Sequence, residues 1–178
     1  MATRSKARLA LDRAFDAKAC RHYLNNNMHV LHCHHYATLY CQLADDCSIL
    51  DAKKLLADCA EDAVYDVLSG YFAANGIDGV VDRIAIAEQY FSAAGMGRMV
   101  VVCAGPDGGD VEFVHSHVDE GWIKKWGQRD EAVNFIGLGF VAAVFAAAFG
   151  RPVRSYAVTE VQSIVAGAER SVFQVVAN

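Results

Sequence analysis

The sequence predicts an α+β domain. N-terminal helices fill residues 1–97, and residues 98–178 form two antiparallel β-hairpins making one sheet, with a long buried helix between the hairpins. Three observations carry this reading. Apolar residues recur at helical spacing from Leu55 to Phe91. The period then falls from 3.6 to 2 at Arg98. Finally, Val133 to Phe149 runs seventeen residues without a charge. Neither a repeat nor a Pro/Gly linker interrupts the 178 residues, so one domain spanning 1–178 is expected.

In chain order, a first helix is expected from about Ser5 to Tyr23, broken by Asn25-Asn26-Asn27, and a second from about Met28 to Ala44. Asp51 can cap a third, whose apolar positions run through Leu55, Leu56, Cys59, Ala63, Val67 and Phe72 to a stop at Gly76. Asp78 opens a fourth, which ends at Gly95 and Gly97. Arg98–Ala104 and Val111–His117 flank the turn residues 105–110 as a hairpin. Ser116 with Asp119 forms a capping box for a short helix carrying Trp122 and Trp126, stopped by Gly127. After the uncharged helix, Pro152–Gln162 and Ser171–Ala177 make the second hairpin around Ala166-Gly167-Ala168.

Composition narrows the function. With 54% hydrophobic residues and a mean hydropathy of +0.17, the chain has material for a large core, a buried dimer face, or both. The net charge of −5 argues against nucleic-acid or anionic-membrane partners, which need clustered Lys and Arg. The basic N-terminus has no apolar segment after it, so it does not read as a secretory signal. The six cysteines include no Cys-x-x-Cys pair and fall mostly in helical segments, which favours reduced thiols and a cytoplasmic protein. Small residues dominate Val133–Phe149, which reads as a helix buried against a sheet rather than a membrane span.

Five of the seven histidines lie between His22 and His35. On a helix, His29, Cys33, Tyr36 and Tyr40 share one face, and Met28, His32, His35 and Leu39 share its neighbour; His34 points away. On the second strand of the first hairpin, Val111, Phe113, His115 and His117 alternate onto one face, which the apolar pair marks as inward. His29, His32, Cys33, His35 and Tyr36 can therefore converge on His115 and His117. Alternatively, the same histidines and tyrosines line a dimer interface.

The C-terminal third carries Asn134-Phe-Ile-Gly-Leu-Gly-Phe, Phe149-Gly-Arg-Pro-Val, Thr159-Glu-Val, the Gly167 turn and Val172-Phe-Gln-Val. This stretch resembles the 4-vinyl-reductase-type small-molecule-binding domain, which occurs in bacterial sensors of aromatic compounds and shares its fold with TRAPP transport subunits. The resemblance implies a ligand pocket between helices and sheet. It also implies a structural zinc, held by a cysteine at the start of the long helix and a Glu-x2-Cys-x7-Cys pattern. Here those positions read Asn134, Glu160, Ser163 and Ser171, so the zinc site is expected to be absent. The ATPase and DNA-binding domains of the sensors have no counterpart in these residues, which implies a stand-alone module.

The expected function is small-molecule binding. A hydrophobic or aromatic ligand would be held in a pocket lined by His29, His32, Cys33, His35, Tyr36, His115, His117 and Trp122. The alternative is a small enzyme in the same pocket. Either His29, His32, His115 and His117 bind a transition metal, or Cys33 is a nucleophile with His117 as base. No hydrolase, metalloprotease, phosphate-loop or dinucleotide motif is present. A homodimer through the N-terminal helices is expected for so apolar a chain.

Overall fold

The computed structural model describes residue 5, residues 7–30 and residues 33–178. It is an α+β fold of five helices and two antiparallel sheets. The N-terminal segment differs from expectation. In place of a helix over Ser5–Tyr23, it carries a three-stranded sheet in the order β1 (Arg13–Asp16), β2 (Arg21–Leu24), β3 (Asn27–His29). Asn25 and Asn26 sit at φ 47 and 65 between the paired Leu24 and Asn27. Two consecutive left-handed residues form the tight turn whose twist matches a hairpin, and Asn tolerates that conformation best after Gly. The asparagine run that reads as a helix breaker is thus a hairpin turn. Ahead of it, residues 7–10 form no helix or strand and are tied down by Gln89 and the Tyr71 hydroxyl.

The second helix also starts later than its spacing suggests. Pairing of Asn27–His29 with β2 keeps those residues extended, and α1 begins only at His34, running to Asp46. The tertiary pairing overrides the local pattern. From there the expected elements follow. Asp51 accepts from Lys54 N at 3.0 Å to cap α2 (Ala52–Asn75), and Gly76 closes that helix at φ 62. Next come α3 (Val80–Ala93), β4 (Gly97–Gly105), β5 (Gly108–Ser116), α4 (His117–Trp126), α5 (Phe135–Phe149), β6 (Tyr156–Gln162) and β7 (Ser171–Ala177). The two hairpins do form one antiparallel sheet, in the order β4-β5-β7-β6.

The core is organised around α5, which packs on α2, α3 and the sheet. Phe91, Phe113, Phe140 and Phe173 stack in its centre, with ring centroids 4.5–4.8 Å apart for the contacting pairs. A second cluster joins Ala37, Cys41 and Ala44 of α1 to Val118 and Trp122 of α4, with Val133, Phe135 and Val165. Among the described residues, no helix is long and apolar enough to cross a membrane.

One irregularity decides which side chains face inward. Met99 pairs with Phe113 but Arg98 pairs with His115, so Val114 is an extra residue on β5. Such a bulge inverts the alternation beyond it. Ser116 turns into the interior, and His115 is exposed and hydrogen-bonds Glu120 at 3.3 Å. The expected inward row through His115 therefore ends at Phe113.

At Gly139 a Cβ would lie 2.0 Å from the Ala57 carbonyl oxygen, so α2 and α5 touch backbone to backbone there. Because both partners are rigid helices, a methyl group forces them apart. Gly139→Ala should cost roughly 2 kcal/mol or more, read as a lowered urea midpoint with an unchanged slope.

Candidate functional site

The histidine segment is divided by the start of α1. His29 lies on β3, opposite His22, which in turn lies opposite Phe15 on β1. Register partners on adjacent strands point to the same face, so Phe15, His22 and His29 form a row across the small sheet. His32 lies outside the described residues. Cys33, His35 and Tyr36 are exposed at the start of α1, with Cys33 Sγ 3.5 Å from His35 Nδ1. It is His34, set apart by the helical projection, that turns inward. Its ring lies 6.1 Å from that of His117, and its Cβ would meet a Cβ at Gly121 at 2.7 Å, which only glycine avoids. Burial, with the charges of His35 and Lys124, holds the His34 imidazole below its usual range. Trp122 is sealed in the core between α1 and α4. Among the described residues, no three His, Cys, Asp or Glu are grouped so as to hold a metal.

The Phe15–His22–His29 row looks into a half-open cleft of about 620 Å³ lined also by Arg13, Tyr23, Leu24, Val30, Ala93 and Met96. His29 Nε2 is buried and has no hydrogen-bond partner among the described residues. Such a nitrogen in an apolar wall is left able to bond to a guest. Met96 also joins the cleft to α4, because its carbonyl accepts from His117 N at 2.9 Å. His29 is among the pocket residues expected from the sequence; Phe15 and His22, which line this cleft beside it, lie in a segment that the sequence presents as helix.

A second polar group lies where the long helix meets the C-terminal hairpin. Asn134 caps α5 through Oδ1 to Gly137 N at 2.8 Å and donates from Nδ2 to Ser116 Oγ and Asp119 Oδ2. Ser171 Oγ donates to Asp119 Oδ2 at 3.2 Å and accepts from Ile164 N, while Ser163 Oγ accepts from Val165 N. The zinc positions implied by the sequence resemblance, Asn134, Glu160, Ser163 and Ser171, thus adjoin one another but offer no thiolate or imidazole. Their hydroxyl and amide groups are already engaged. This donor set does not fit zinc. Asp119, which sequence reading assigned only to a cap, is the group that Asn134 and Ser171 both bond. The reach back to Ser116 N is made instead by Glu120.

Two solved structures share this architecture. The phenol-responsive sensory domain of the transcription activator PoxR, crystallised with phenol, superposes with a TM-score of 0.77 at 12% identity, covering 93% of this chain and 84% of that one. A vinyl-4-reductase family protein from Methanocaldococcus jannaschii gives 0.52 at 12% identity, over 81% and 77%. The chain therefore has the 4-vinyl-reductase-type fold that its C-terminal third resembles, and the likeness reaches well into the N-terminal half. No family profile matches the sequence, and no curated protein matches it.

The polar group has a pH signature. Burial first, and then the charge of Asp119, raises the Glu160 carboxyl to about 7, and burial raises Asp119 as well. Both Glu160 oxygens and Asp119 Oδ1 are buried. A folded-state pKa above the unfolded value means that the folded form binds more protons. Stability then falls as pH rises from about 4.5 to about 7. The Glu160 shift alone corresponds to roughly 3 kcal/mol. Glu160→Gln should raise the melting temperature at pH 8 and flatten its dependence between pH 5 and 8, measured by thermal unfolding.

Proposed function

We propose that the chain is a small-molecule-binding domain that takes a hydrophobic or aromatic ligand in the cleft between the small N-terminal sheet and the end of α3. One observation carries this reading: a mainly apolar cleft whose wall holds the buried Nε2 of His29, unpartnered among the described residues. Phe15 supplies an aromatic face beside His22, with their rings 4.7 Å apart. His29 would bond the ligand's hydroxyl or carbonyl, and Met96 would carry its presence to His117 and α4. The fold shared with a phenol-responsive sensory domain supports the same class of ligand. Of the residues that the sequence singles out, His29 is therefore the orienting group, and His117 the first relay behind it.

A panel of phenols tested by thermal shift and calorimetry checks this. At least one should raise the melting temperature in a concentration-dependent way. His29→Phe keeps the wall apolar and removes the nitrogen, so affinity should fall roughly tenfold while the free protein's melting temperature holds. No stabilisation by any member of the panel, or equal affinity in His29→Phe, overturns the reading.

A further inference from the structure

The outer face of α1 is apolar in a way the fold does not use. Its buried residues, Ala37, Thr38, Cys41 and Ala44, pack against α4 and the second core cluster. On the opposite side, Tyr36, Leu39, Tyr40 and Leu43 recur at i, i+3, i+4 and i+7 and are 55%, 38%, 52% and 58% exposed. The chain leaving the helix adds Ile49, 93% exposed, and Leu50. A stripe of this spacing is what a helix presents to another helix.

The charges on α1 indicate which helix. Its first turn holds no acid and its last turn no base; instead His34 and His35 stand at the N-terminus, and Asp45 and Asp46 at the C-terminus. The C-terminal end opposes the helix's own dipole, which favours cations there. Asp45 is neutralised by Lys53 and Arg129, each at 2.6 Å. Asp46 is exposed, and among the described residues no cation pairs with it; its carboxylate accepts only from Gln42. His35 is exposed as well, and among the described residues its ring meets Cys33 and His34. His35 and Asp46 are eleven residues, or three turns, apart, and so lie on the same flank of the stripe.

We infer that α1 pairs antiparallel with α1 of a second copy of this chain, about a two-fold axis that passes between Leu39 and Tyr40. Such an axis sets each flank against the same flank of the other copy. It places the N-terminal turn and His35 of one helix beside Asp46 and the C-terminal turn of the other. The mismatched acidic end of each helix meets the N-terminal turn of the other, and the isologous stripe closes on itself without leaving a patch for further addition. A parallel pair would set the two acidic ends together. This does not rest on the ligand-binding reading, since association is read with no small molecule present.

Analytical ultracentrifugation of the full chain tests it. The wild type should sediment as a dimer. Leu39→Glu/Leu43→Glu should be monomeric with unchanged circular dichroism and melting temperature, both sites being exposed. Val102→Glu, on an exposed site of β4, should remain dimeric. His35→Glu should weaken association roughly tenfold, and adding Asp46→Lys should restore it. A monomeric wild type, a dimeric Leu39→Glu/Leu43→Glu, dissociation by Val102→Glu, or no rescue by the charge swap overturns the proposal.

Discussion

A helix apolar on every side dictates the rest of this molecule. Twelve of the fifteen residues of α5 are buried, and none is charged. A helix with one apolar stripe can lie on a surface, but α5 needs cover all round. The β4-β5-β7-β6 sheet covers one side, while α2 and α3 cover others. Small residues make this possible: Gly139 lets α2 approach to backbone contact, and the alanines keep the layers thin. The two hairpins have to form a single sheet because only a continuous one is wide enough to be the other wall.

The price of that burial falls at the N-terminus of α5. A helix start leaves backbone N–H groups unpaired, and here they are far from water. Asn134 caps one of them, and its amide nitrogen then draws Ser116 and Asp119 into a network that reaches Ser171 on β7. These hydrogen bonds join four elements. Burial accordingly raises the carboxyl groups of both Asp119 and Glu160, since a neutral carboxyl costs far less to bury than an ionised one.

What was legible in the sequence follows from how local each signal is. α2, α3, α5 and both hairpins have long periodic patterns or strong punctuation, such as Asp51, Gly76 and the glycines near 108, and they appear where those patterns put them. The segment from Ser5 to Cys33 does not. Its strands are three or four residues long, too short for a period to register, and the decisive Asn25-Asn26 turn is equally readable as a helix break. The misplaced α1 start then carried over to the site. It put His29 on a helix face and set aside His34, whose ring turns toward His117. Asp119 stayed hidden for a different reason: a residue at the third position of a helix reads as part of a cap, and only the fold shows that its side chain is buried.

The extra residue at Val114 works as a phase shift. Before it, odd-numbered positions of β5 belong to the interior; after it, even-numbered ones do. Strand length, composition and hydrogen-bonded neighbours barely register the change, yet the boundary between inside and outside has exchanged a histidine for a serine. The serine is the residue that both caps α4 and accepts from Asn134. In a fold of this kind, the chemistry at the end of a strand is a matter of counting: one residue more or less upstream rewrites it without touching a single side chain at the site.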